Sequence, residues 1–222
     1  MKGMPVTGDD ATARAYTPRV HPTVTIRPRT ADDVPALAGI LEAQQPHTGY
    51  PVRWPLPFPV EGFIVRTTEL AGWVATDAGV VVGHVALTDV APGWEEDGWT
   101  AGTGRPASAL AAVAVLFVDP RAAGRGVGSA LLDTAVARAR TLGRTPVLDV
   151  VSESTRAVAL YRRHGWQVVG QARPPWLPVH RDPLLLMALP QEAGRSPRHG
   201  TGSAAPASLR STQSGPGEPA GT

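Results

Sequence analysis

The stretch VDPRAAGRGVGSALL, residues 118–132, governs the reading of this chain. Before it, LAAVAVLFV at 110–118 is apolar throughout, the composition of a strand buried on both faces. After it, the segment 126–142 sets Leu131, Leu132, Ala135, Val136, Ala139 and Leu142 on one side of a helix, and Gly143 is placed to stop it. Between strand and helix stand Gly124, Gly126 and Gly128. The first turn of a helix leaves about four backbone N–H groups unpaired and carries about half a positive charge. Glycines remove the Cβ atoms that would hold an anion away. The combination is a cradle for a diphosphate, to which Arg125 can add charge. A Walker A loop would need a lysine that is absent here. Both glycine registers of a dinucleotide fingerprint fail, because Ser129 or Leu131 stands where the third glycine belongs. A turn of glycines serving only tight packing is the plain alternative.

Working outward, helical and strand-like segments alternate, which predicts an α/β fold. A short strand at 24–27 precedes Thr30, an N-cap candidate with Asp33 three residues on, and then a stripe of Val34, Leu37, Ile40 and Leu41. The Pro-rich aromatic run at 46–59 reads as a loop, and 61–70 as a short helix. Two strands at 71–77 and 80–89 flank an Asp-Ala-Gly turn. Residues 91–107 read as a long loop. Beyond the central helix come a buried strand at 146–151, a helix at 154–164 ended by Gly165, and late strands at 166–172 and 184–189. Residues 1–22 and the Gly/Ser/Pro/Ala-rich 191–222 cannot bury enough apolar area to offset ordering, so both are expected to be disordered tails around a domain at 23–190.

Composition narrows the function classes. The chain has 222 residues and is 42% hydrophobic, enough for one domain with a real core. It has no cysteine, which excludes disulfides, thiolate metal sites and a cysteine nucleophile. The net charge is only +2, and no dense basic stripe argues for nucleic acid. Of the 21 cationic side chains only Lys2 is a lysine, a usage that fits a GC-rich genome. No apolar run reaches membrane-spanning length and the N-terminus has no signal-like apolar segment, so a cytoplasmic location is the default expectation.

The glycine turn resembles the pyrophosphate loop of the GNAT superfamily of N-acetyltransferases, Gln/Arg-x-x-Gly-x-Gly/Ala. Gly126 and Gly128 supply its last glycines, Ala123 stands where Gln or Arg is usual, and Arg121 is the nearby candidate substitute. Ser154 to Trp166 resembles the same family's Asn-x-x-Ala-x-x-Leu-Tyr-x-x-x-Gly-Phe, with Ala157, Leu160, Tyr161 and Gly165 matched, Ser154 in place of Asn and Trp166 in place of Phe. The segment 25–33 is similar to the family's first strand and helix start. The likeness spans 24–189.

It implies a mixed, twisted sheet of about six or seven strands flanked by about four helices, with a splayed central strand pair. It implies acetyl-CoA as cosubstrate and no metal. The cosubstrate would be held by the amides of Arg125, Gly126, Val127, Gly128, Ser129 and Ala130, by the backbone at Phe117 and Val118, and by Ser154. Tyr161 would be the acid that protonates the leaving thiolate. The base has several candidates: Glu95, Glu96 and Asp97 in the long loop, His84 on the hairpin, or a water relay. Tyr50, Arg53, Trp54 and Phe58, with Trp176 and His180 opposite, are expected to line the acceptor site for a small-molecule or protein amine. The family's habits allow a homodimer. The competing expectation is an acyl-CoA-binding regulator without catalysis, since Ala123 and Ser154 depart from the pattern.

Overall fold

A computed structural model describes residues 24–190, so the tails expected at 1–22 and 191–222 lie outside the described residues. The seven strands are β1 (Val24–Pro28), β2 (Glu69–Asp77), β3 (Val80–Thr88), β4 (Leu110–Val118), β5 (Thr145–Val151), β6 (Gln167–Ala172) and β7 (Leu184–Ala188). They form one mixed sheet in the order β1-β2-β3-β4-β5-β7-β6. All neighbours are antiparallel except β4 and β5. The β2–β3 hairpin turns on Ala78 and Gly79, both at positive φ (48° and 83°), the twist a two-residue hairpin loop needs.

Five α-helices flank the sheet among the described residues: α1 (Val34–Thr48), α2 (Val60–Ile64), α3 (Trp94–Thr103), α4 (Val127–Thr141) and α5 (Thr155–Arg163). Helix α4 makes the crossover that two parallel strands require. Its Val127, Leu131, Leu132, Ala135, Val136 and Ala139 are buried in the main core with Val85, Leu148 and Met187. The N-terminal entry behaves as its sequence suggests. Asp33 accepts from the Thr30 N–H at 2.8 Å, and Arg27 holds the same carboxylate through both of its terminal nitrogens.

Besides the helix read at 61–70, which ends at Ile64 as α2 while Glu69 already begins β2, two expectations are corrected. Helix α1 runs through Pro46 to Thr48, three residues into the segment read as loop, and Gly49 ends it in the left-handed conformation (φ 67°). Pro46 withholds one N–H, but the carbonyl it leaves free belongs to exposed Glu42, where water can replace the bond. The second correction is α3, which lies inside the supposed loop at 91–107. Gly98 and Gly102 hid it, since glycine weakens a helix by about 1 kcal/mol relative to alanine. Packing explains both. A Cβ on Gly98 would stand 2.3 Å from Leu186 Cδ1, and one on Gly102 would stand 2.5 Å from the Val169 carbonyl oxygen. The glycines let α3 lie directly on β6 and β7, where Trp99 is buried and donates its indole N–H to Leu148 O at 3.3 Å.

What positions the site is the failure of β4 and β5 to stay together. Their ladder comprises only Leu110↔Thr145, Ala111↔Pro146 and Ala112↔Val147. Beyond it β4 runs on to Val118 and β5 to Val151 without pairing to each other. On its other side β4 carries a bulge. The register shifts between His84 and Ala86, and Val115 takes φ 52°, a left-handed conformation that is rare and strained for a β-branched residue. No helix among the described residues is long and apolar enough to cross a membrane.

Candidate active site

The gap between β4 and β5 opens a cavity of about 1130 Å³. One end is walled by the glycine turn and α4. Gly124 and Gly126 both have positive φ (78° and 81°), and Gly126 is the N-cap of α4, with no side chain capping it. Ala130 N–H already donates to Gly126 O at 3.0 Å. The amides of Val127, Gly128 and Ser129 are the ones a helix start leaves for an anion. Thus the run expected at 125–130 is shorter, because Ala130 is used by the helix itself. No Cβ crowds the turn: one built at Gly124 meets nothing within 4 Å. The space, the free amides and the helix dipole fit a diphosphate group.

The charged side chains near this turn face other partners. Arg125 pairs with Asp77 at 2.5 Å and does not line the cavity. Arg121 is bound to Asp119 through several nitrogen–oxygen contacts, lies outside the cavity, and does not replace the residue missing at Ala123. This end is therefore a site of backbone. Ser129 does reach the cavity, but its hydroxyl lies 3.2 Å from Nε2 of His164, whose other nitrogen is 3.1 Å from Asp133.

At the splay, Phe117 and Val118 line one wall and Ser154, Leu160 and Tyr161 the other. Tyr161 is 8% exposed and its ring meets Trp166 edge-on at 6.0 Å. Burial, and secondarily the nearby carboxyl of Asp149, pushes its pKa far above that of a free tyrosine. Tyr161 therefore stays protonated throughout the neutral range and is suited to donate.

Asp149 is the residue that sequence reading missed. It sits on β5 just past the last β4 partner, the one exposed residue in an otherwise buried strand segment, and it opens onto the cavity. Burial raises its pKa, with no basic side chain paired to it among the described residues. Its signal was a lone carboxylate in the run PVLDVV, in a strand otherwise read as pure core. Glu95, on the first turn of α3, shares the cavity. Burial and then Asp149 push its pKa up to about 6.

Of the remaining candidates, Tyr50, Arg53, Phe58 and Trp176 line the cavity, whereas Trp54, Glu96, Asp97 and His180 do not. His84 is removed from the site altogether. It is fully buried, its Nδ1 donates to the carbonyl of bulged Val115 at 3.0 Å, and its Nε2 accepts from Arg29 at 3.0 Å. Burial lowers its pKa to about 4, so it is a neutral structural group. Arg29 also grips both oxygens of Glu69 and the Ile64 carbonyl, tying α2 to β2 and β3 behind the acceptor end.

Comparison with known proteins agrees with this architecture. None of the curated proteins compared with the chain matches it. Solved structures do match in fold. A GCN5-related N-acetyltransferase from Kribbella flavida superposes with a TM-score of 0.57 at 23% identity, covering 76% of this chain and 98% of its own. The ribosomal-protein-S18-alanine N-acetyltransferase from Escherichia coli gives 0.55 at 21% identity, covering 78% and 97%. The yncA protein from Salmonella typhimurium, solved with its cofactor acetyl-CoA, gives 0.57 at 20% identity, covering 80% and 99%. The acetyltransferase (GNAT) family model matches residues 37–166, a span that takes in most of α1, the glycine turn, the splayed strands and Tyr161, and the chain therefore belongs to that family of transferases.

Proposed function

We propose that this protein is an N-acetyltransferase that moves an acetyl group from acetyl-CoA to a primary amine by direct attack. One observation carries the reading: a side-chain-free helix N-terminus, Tyr161 and Asp149 all open onto the same cavity. Acetyl-CoA supplies an activated thioester. The amides of Val127, Gly128 and Ser129 bind its diphosphate, and the backbone at Phe117 and Val118, freed by the splay, orients the arm and its carbonyl. Asp149 accepts the proton of the incoming amine at a carboxylate oxygen, directly or through one water. Its raised pKa makes it a stronger base than an exposed aspartate. Tyr161 gives its hydroxyl proton to the departing sulfur.

The full chain incubated with acetyl-CoA and a panel of primary amines, with free thiol as the readout, tests this. Amine-dependent thiol release is expected. Acetyl-CoA binding without release from any amine would replace the reading with that of a silent acyl-CoA-binding module.

A further inference from the structure

Arg66 lies in the turn between α2 and β2 and lines the acceptor end of the cavity. Six other described arginines, Arg27, Arg29, Arg121, Arg125, Arg144 and Arg181, each pair with a carboxylate. Arg66 pairs with none, although Asp149 and Glu95 open onto the same cavity and their pKa values respond to its charge. Its guanidinium carbon stands 4.5 Å over the ring of Phe63. Its Nε is buried without a hydrogen-bond partner. A buried charged donor left unbonded is costly, and the contact with Phe63 restricts where the guanidinium can go. Arg53 also lines the cavity but is exposed to solvent, so its charge is satisfied by water.

The cavity thus offers a small acceptor two unlike anchors. Arg66 is a fixed fork for a planar anion. Asp149 and Glu95 are two carboxyls open to the cavity that form no ion pair among the described residues. Trp94 and Trp176, edge to face at 6.5 Å, help wall the same cavity. A polyamine would satisfy the acids but place a second cation near Arg66. A simple amine would leave Arg66 without an anion. A molecule bearing both an amine and a carboxylate answers both anchors. We propose that the acceptor is an amino-acid-like small molecule whose carboxylate is held by Arg66 while its amine is directed to Asp149 and Glu95. The proposal rests on the acetyl-transfer reading above, and Arg66 is its specificity-determining residue.

The test measures acetyl transfer by the full chain to each of the standard amino acids, to the matching amino-acid amides and decarboxylated amines, and to spermidine. The best amino acid is expected to exceed its own amide by about 10- to 150-fold in kcat/KM, the range of one charged hydrogen-bond pair. In Arg66→Gln that preference collapses to near unity through the KM for the amino acid, while the CoA dissociation constant stays at the wild-type value. Arg66→Lys retains part of the preference. Equal wild-type rates for acid and amide, or spermidine as best acceptor, overturn the proposal without any variant. So does an Arg66→Gln protein that loses acid and amide activity alike. Absence of thiol release from every compound instead sinks the acetyl-transfer reading, and this inference with it.

Discussion

The two ends of the cavity are built on opposite principles. The cofactor end is backbone: three amides, two left-handed glycines and a helix dipole, with Arg121 and Arg125 both committed to carboxylates elsewhere. The acceptor end is side chain: Tyr50, Arg66, Glu95, Asp149, Tyr161 and Trp176, contributed by six separate stretches of chain. A backbone site reads a shape every CoA thioester shares, and it can be lost only by filling the space or moving the helix. A side-chain site reads chemistry, and single substitutions can retune it.

That contrast can be broken in graded ways. The largest effect is expected from Gly126→Glu, which forces a side chain and a negative charge onto a left-handed position in the cradle. CoA binding measured by calorimetry should disappear, and an unchanged affinity would remove the anion site from this turn. Asp149→Asn comes next. General-base catalysis contributes about 10²- to 10⁴-fold, so kcat should fall within that range while CoA affinity holds. The pH profile gives the sign. Wild-type activity rises with pH as Asp149 sheds its proton, and burial moves that limb above the ordinary aspartate value of about 3.9. In Asp149→Asn the limb should vanish, and a limb that persists would transfer the role to Glu95, whose pKa near 6 would then set it. Tyr161→Phe should lower turnover by about 10²-fold, the lower edge of acid catalysis, with little change in CoA affinity. Equal turnover in the two proteins would return Tyr161 to a packing role against Trp166. Smallest of all is Arg125→Ala. If the cradle is backbone alone, CoA affinity should move less than about threefold and stability by under about 1 kcal/mol, as befits a partly exposed ion pair. A tenfold loss of affinity would show that the cofactor end needs side-chain charge after all.

The same contrast explains what was legible in the chain. The glycine turn and α4 are contiguous, so a phosphate cradle could be read from Gly124, Gly126 and Gly128 with the apolar stripe behind them. The run 110–118 matched β4 residue for residue, and Tyr161 was found by its place in a local pattern. Helix α3 was missed because its glycines weaken the helical signal and serve contacts with Leu186 and Val169, residues far along the chain. His84 was taken for a site residue because a histidine on a strand looks available. Only the fold shows both nitrogens occupied, by Val115 on β4 and by Arg29 just after β1.

By itself the sequence determined the α/β alternation, the glycine turn at the start of α4 and the local pattern around Tyr161, because each is carried by residues near one another in the chain. The tertiary structure decided where β4 parts from β5, and that event converts Asp149 from a core anomaly into an acid open to the cavity. It also decided that Arg66 would stand without a carboxylate partner in the same cavity while six other described arginines found one. A side chain's charge state and availability depend on what surrounds it in space, and those surroundings come from elements that the linear order keeps far apart.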